Sequence, residues 1–167
     1  MDIINFGSFQ RSGNHFFLNV ANKIFDNTKV VWFEHNCFSL RKQLNTVVTI
    51  RNPVDSVFSL CVLRGEYGND FINDRLRLYK MYYEKINTTN SIIIPFVQLI
   101  ENPIVCFEYI SSKYKLNEPN ISKMNISTIE GKEYSNKHIP KFLKSEILNS
   151  HYLADADKIF NKLCILV

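Results

Sequence analysis

Ile3-Ile4-Asn5-Phe6-Gly7-Ser8-Phe9-Gln10-Arg11-Ser12-Gly13-Asn14-His15-Phe16 is the stretch that decides the fold. Ile3 to Phe6 reads as a short strand ending in Gly7, and Ser8 to Gly13 as a loop. Asn14 to Phe25 then carries Phe17, Val20, Ala21 and Ile24 at helical spacing. A strand feeding a helix through a tight polar loop is the opening unit of a parallel α/β sheet. Such a loop aims backbone N–H groups and the positive end of the helix dipole at one point, which suits an anion. Arg11 adds a guanidinium that can grip phosphate oxygens. Ser12, Asn14 and His15 add donors, and Gly13 allows close backbone approach. The pattern GxxxxGK[ST] is absent, which argues against ATP and GTP.

The same alternation continues along the chain. Lys29 to Phe33 is a second strand, and Thr46 to Ile50 is a β-branched run of the kind buried on both faces. Asn52-Pro53 starts a helix that runs through Val54 to Arg64 and ends at Gly65. Asp70 to Asn87 is amphipathic, with Leu76, Tyr79, Tyr83 and Ile86 along one stripe. Ser91 to Val97 is a further strand. Asn102-Pro103 opens a helix to Tyr114, and Asn117 to Ser135 is polar and irregular. A last helix spans Lys141 to Lys162 with a break near His151 to Ala154. The expectation is one α/β domain over 1–167, three-layered, with a mostly parallel sheet flanked by helices. In such sheets ligands sit at the carboxyl ends of the strands, so the loops after Phe6, Phe33 and Ile50 share one rim.

In the loop after the third strand, Arg51 leaves the strand end and Ser59 follows two helical turns later. The pair could clasp one phosphate from two sides; alternatively Arg51 pairs with Asp55. The loop after Phe33 brings Glu34 and His35 to the rim. Imidazole titrates near neutrality and suits proton transfer, so His35 is the favoured general base and Glu34 the fallback. His138 and His151 are read as structurally incidental.

These residues resemble the 3′-phosphoadenosine 5′-phosphosulfate (PAPS)-dependent sulfotransferases, a P-loop NTPase-like fold. That family carries [PKR]-[KR]-S-G-T-T-[WF] after its first strand and R-[ND]-P-x-D-x-x-x-S after a later one. Arg11-Ser12-Gly13-Asn14-His15-Phe16 is similar to the first motif. Arg51-Asn52-Pro53-Val54-Asp55 with Ser59 is similar to the second, with the same Arg-to-Ser spacing. Ile94 to Ile100, followed by Asn102-Pro103 and Ile110 to Leu116, is also similar to the family's v-x-YEDL…dP…i-x-x-FLGl stretch. The resemblance implies that Arg11, Ser12, Gly13, Asn14 and His15 cradle the 5′-phosphosulfate. It implies further that Phe16 stacks near the adenine, and that Arg51 and Ser59 hold the 3′-phosphate. The family's usual Thr-Thr is Asn14-His15 here, and its late glycine-rich segment survives only as Gly131, Lys132 and Lys137. The implied reaction moves a sulfuryl group from PAPS to a hydroxyl or amine and releases 3′,5′-ADP (PAP), with no metal. A kinase-like phosphotransferase and a catalytically silent nucleotide-binding scaffold are the alternatives.

A net charge of +4 fits an anionic ligand and falls short of the basic stripe of a nucleic-acid binder. Cys37, Cys61, Cys106 and Cys164 lack zinc spacing and read as free thiols. No leader or membrane-length apolar run is visible, so the expectation is a soluble, cytoplasmic protein. Its acceptor is expected to be a small molecule or glycan, bounded by Gly65 to Asp70 and the Asn117 to Ser135 segment.

Overall fold

The computed structural model describes residues 2–86, 90–124 and 139–164. Four strands, β1 (Asp2–Ser8), β2 (Thr28–Trp32), β3 (Thr46–Ile50) and β4 (Ser91–Pro95), form an all-parallel sheet in the order β2-β1-β3-β4. The expected α/β class holds. Alternation along each strand divides its side chains between two cores. Ile4, Phe6, Val47, Ile92 and Ile94 face one cluster, with Phe17, Ile24, Phe107 and Ile110 from α1 (Asn14–Ile24) and α6 (Pro103–Tyr114). Val48, Ile50 and Ile93 face the other. That second core takes residues from α2 (Cys37–Leu40), α3 (Pro53–Arg64), α4 (Asn69–Glu84), α7 (Leu143–Leu148) and α8 (Leu153–Cys164). Helices on both faces make three layers.

The helix signals at α3 act as their chemistry dictates. The Asn52 side chain accepts from the N–H groups of Val54 and Asp55 at 2.9 and 3.4 Å, Pro53 takes the first turn, and Gly65 ends the helix at φ 72°.

Several elements differ from the sequence reading, beyond shifts of one to three residues at the ends of α1, β2 and α4. β1 reaches Ser8, because Gly7 and Ser8 pair with Val48 and Thr49. The strand expected to run to Val97 stops at Pro95, and Phe96–Glu101 forms α5. Pro95 has no N–H to extend the ladder and leaves the chain at ψ 133° to start the helix. Cys37–Leu40 is a short helix that its length hid, capped by the Asn36 side chain on the Ser39 N–H. The final helix is two, α7 and α8, parted at residues 149–152. Of the C-terminal apolar residues, Leu163 is buried core within α8. The cysteines are free, and Cys37, Cys61 and Cys106 are buried.

The sheet order fixes where a ligand crevice opens. From β1 the chain crosses outward to β2, and from β3 it crosses outward the other way to β4. The connections therefore diverge between β1 and β3, and the carboxyl ends of those two strands flank the crevice. Residues 9–13 and 51–52 leave the strands at that point.

Candidate functional site

At the divergence point the two loops are bonded to each other. Arg11 Nε donates to Ser59 Oγ at 3.0 Å, and Arg51 Nη1 donates to the Arg11 carbonyl at 3.2 Å. Residues 48 and 40 positions apart in the chain thus meet through both arginines. Two guanidiniums, the side chains suited to bidentate grip of a phosphate or sulfate, thus stand at one loop.

The loop's shape is imposed from beneath. Arg11 sits in the left-handed region at φ 64° and Gly13 at φ 93°. A non-glycine residue there costs about 1 kcal/mol or more and persists only when its surroundings hold it. They do so here. Ser56 Oγ donates to the Gln10 carbonyl at 2.7 Å, and the buried Ser12 hydroxyl lies 3.4 Å from Ser56 Oγ. Tyr83 donates to the Thr49 carbonyl at 2.8 Å and accepts from the Phe9 N–H, and its oxygen lies 3.4 Å from the Ser12 hydroxyl. Tyr79 donates to the Arg51 carbonyl at 2.7 Å. Burial pushes the Tyr79 and Tyr83 hydroxyls well above the ordinary phenol range, so both stay protonated donors.

Gly13 has a steric duty as well. A Cβ there would stand 2.5 Å from the Phe96 ring. The same ring lies under the Arg51 guanidinium at 5.0 Å, within cation–π range. Phe96 therefore packs the first loop against Arg51.

The sequence-predicted residues divide by role. Arg11, Arg51, Ser59 and Gly13 lie together at the divergence point, with Ser59 bonded to Arg11. The Ser12 and Asn14 side chains turn inward: Ser12 to Tyr83 and Ser56, Asn14 to the Ser8 hydroxyl, which donates to its carbonyl oxygen. What they present at the start of α1 is backbone. That helix has no side-chain cap and no acidic residue in its first turn. His15 is exposed with its ring edge-on to Trp32 at 5.9 Å. Phe16 is half-buried against the α1-side core. Arg51 turns to Arg11 and Phe96, while the Asp55 carboxylate is exposed in the first turn of α3. Gly131, Lys132, Lys137 and His138 lie outside the described residues.

His35 and Glu34 reach the same rim from β2. His35 Nδ1 lies 2.8 Å from the Ser8 carbonyl oxygen. A carbonyl only accepts, so Nδ1 carries the proton, which leaves Nε2 as the ring nitrogen open to another partner. Glu34 is exposed, at φ 51°.

Beside His35 opens a cavity of about 440 Å³. Glu34, His35 and Phe38 line it from the β2–α2 connection and α2; Phe9 and Gln10 from the first loop; Arg75, Leu78, Met81 and Tyr82 from α4. Gly65 to Asp70 do not line it, and most of the Asn117 to Ser135 segment lies outside the described residues. Among the described residues no helix is long and apolar enough to cross a membrane.

With the geometry in place, comparison with known proteins adds the following. No protein-family model matches the sequence, and a search of curated proteins finds no significant match. In fold, the chain is similar to a crystal structure of mouse sulfotransferase SULT7A1 complexed with PAP. The TM-score is 0.55 at 12% identity, over 97% of this chain and 82% of that one. The fold is sulfotransferase-like: a four-stranded parallel sheet flanked by helices.

Proposed function

We propose that the protein transfers a sulfuryl group from PAPS to an acceptor hydroxyl. The observation that carries this reading is the joining of Arg11 and Arg51 at one loop, through Ser59 and the Arg11 carbonyl, where β1 and β3 diverge. The donor fits these residues. PAPS presents two anionic groups, and the site offers two guanidiniums, a hydroxyl and an uncapped helix start. On this reading Arg51 and Ser59 bind the 3′-phosphate, the group that separates PAPS from ATP. Arg11, with the backbone of residues 12–15, binds the 5′-phosphosulfate.

His35 acts as the general base. Ser8 fixes its tautomer, and Nε2 takes the proton from the acceptor hydroxyl lying in the adjoining cavity. The new bond joins the acceptor oxygen to sulfur. The bond from sulfur to the bridging phosphate oxygen breaks, and its electron pair stays on the leaving 3′,5′-ADP. Arg11 and the α1 N-terminus stabilise the charge growing there. Glu34 is the alternative base on the same loop.

The test is transfer of radiolabelled sulfate from PAPS to a panel of phenols, alicyclic alcohols and sugars. His35→Ala is expected to lower turnover by about 100-fold or more, the usual share of a general base, while PAPS still binds. Loss of turnover in Glu34→Ala with His35→Ala unaffected would reassign the base. No transfer to any acceptor, with 3′,5′-ADP failing to bind, would end the reading.

A further inference from the structure

The cavity beside His35 holds more polar chemistry than an apolar acceptor needs. Most of its wall is apolar, from Phe9, Phe38, Leu78, Met81 and the Tyr82 ring. Three of its lining residues carry polar atoms buried behind that wall with no hydrogen-bond partner among the described residues: Arg75 Nε, the Tyr82 hydroxyl and Gln10 Oε1. Tyr82 is 4% exposed, so no bulk water makes good its missing bond. A sequestered polar group without a partner is costly, and a ligand group that supplies the partner recovers the loss.

The position of α4 gives this chemistry a direction. Tyr83 reaches the Thr49 carbonyl and Tyr79 the Arg51 carbonyl, so α4 runs antiparallel to β3. Earlier residues of α4 therefore stand progressively further beyond the strand ends. Tyr82 lies at the floor, its hydroxyl 2.9 Å from where a Cβ on Gly7 would be. Arg75 stands seven residues earlier on the same helix face, roughly 10 Å toward the mouth. The Arg75 guanidinium is posed there by its neighbours. Nη2 bonds Asp74 at 2.6 Å, and the plane lies over the Phe71 ring at 4.9 Å.

The surrounding charge is positive. Arg77 also bonds Asp74, and Arg41 lies over the Phe38 ring at 5.3 Å, so three guanidiniums stand against the carboxylates of Asp74 and Glu34. Burial raises the Cys37 thiol of the same wall, and the charges of Arg41 and Lys85 draw it part of the way back.

We infer that this cavity selects a flat, apolar hydroxy compound carrying a carboxylate at the end remote from its hydroxyl, and that Arg75 is the residue that reads the carboxylate. The inference rests on the acceptor role proposed above. The hydroxyl lies toward His35, the body packs between Phe38 and Leu78, and the anionic end meets Arg75 at the mouth.

The experiment is calorimetric binding to the full chain, with and without saturating 3′,5′-ADP, of three probes of similar size. They are 3-(4-hydroxyphenyl)propanoate, its neutral primary amide and the cationic tyramine. The acid is expected to bind about tenfold tighter than the amide, with tyramine weakest, and Arg75→Gln is expected to level acid and amide. 3′,5′-ADP binding by Arg75→Gln reports that the variant is folded. Amide equal to acid, a preference that survives Arg75→Gln, or tyramine binding tightest (a site governed by Glu34) would each overturn the inference. If 3′,5′-ADP fails to bind wild type, the donor reading fails on its own, and the probe series without nucleotide still decides the role of Arg75.

Discussion

The two faces of the sheet are built from different materials. On the α1/α6 face Phe6 stacks on Phe17 at 4.1 Å, Phe17 meets Phe107 at 5.4 Å, and Ile24 and Ile110 are fully buried. The polar anchor of that face, the Tyr114 hydroxyl on the Thr46 carbonyl and the Ile92 N–H, lies at the amino ends of β3 and β4, away from the rim. On the α3/α4 face Tyr79 and Tyr83 are just as buried, yet their hydroxyls run to the carbonyls of Arg51 and Thr49. Apolar packing is non-directional and holds layers together. Hydrogen bonds are directional and set the positions of particular loops. The first face holds the sheet, and the second aims the rim.

That contrast can be broken in several ways, here from the largest expected effect to the smallest. Phe17→Ala, on the apolar face, should cost about 3–5 kcal/mol in chemical denaturation while folded protein keeps its 3′,5′-ADP affinity. Gly13→Ala sets a Cβ against Phe96 at a positive φ. It should cost about 2 kcal/mol and weaken 3′,5′-ADP binding as well, because Phe96 and Arg51 must move. Tyr83→Phe removes the donor to the Thr49 carbonyl and the hydroxyl beside Ser12, and should cost on the order of 1 kcal/mol. Its calorimetric signature is a weaker nucleotide affinity out of proportion to that small loss, which a merely structural tyrosine would not give.

The smallest effect concerns acid stability. Hydrogen bonding to Arg77, ahead of the opposing cost of burial, holds the Asp74 carboxyl below its ordinary value, and Arg75 assists. A depressed carboxylate contributes stability above its unfolded value and loses it as pH falls through the folded one. Asp74 is about a third exposed, so the contribution is small. Asp74→Asn should lower stability slightly at neutral pH in thermal melts, and the difference from wild type should vanish as pH falls through the carboxylate range.

The strand–helix alternation, the capped start of α3 and the two arginine motifs were legible because each rests on local chemistry: β-branched runs, Asn-Pro, and Arg at a strand end. What escaped depends on residues far apart in the chain. Nothing local reveals that Tyr79 and Tyr83 anchor the rim; their helical stripe reads only as core. Phe96 was read as strand because Ile92 to Val97 is one apolar run, and only the turn at Pro95 brings its ring onto Gly13. Ser12 and Asn14 have the right chemistry for an anion cradle, but burial turns their side chains inward. Nothing local shows that α4 would wall a cavity beside His35, because the two meet only once the layers pack.

The central claim is the joined Arg11–Arg51 rim, and nucleotide-dependent thermal stability tests it most directly. At 100 times its dissociation constant 3′,5′-ADP should add about 2.7 kcal/mol, a rise in Tm on the order of 5–10 °C for a chain of this size. ADP and ATP, with or without magnesium, should add little, and Arg51→Ala should abolish the 3′,5′-ADP shift. Stabilisation by ATP with magnesium and none by 3′,5′-ADP, or a 3′,5′-ADP shift that survives Arg51→Ala, would contradict the account.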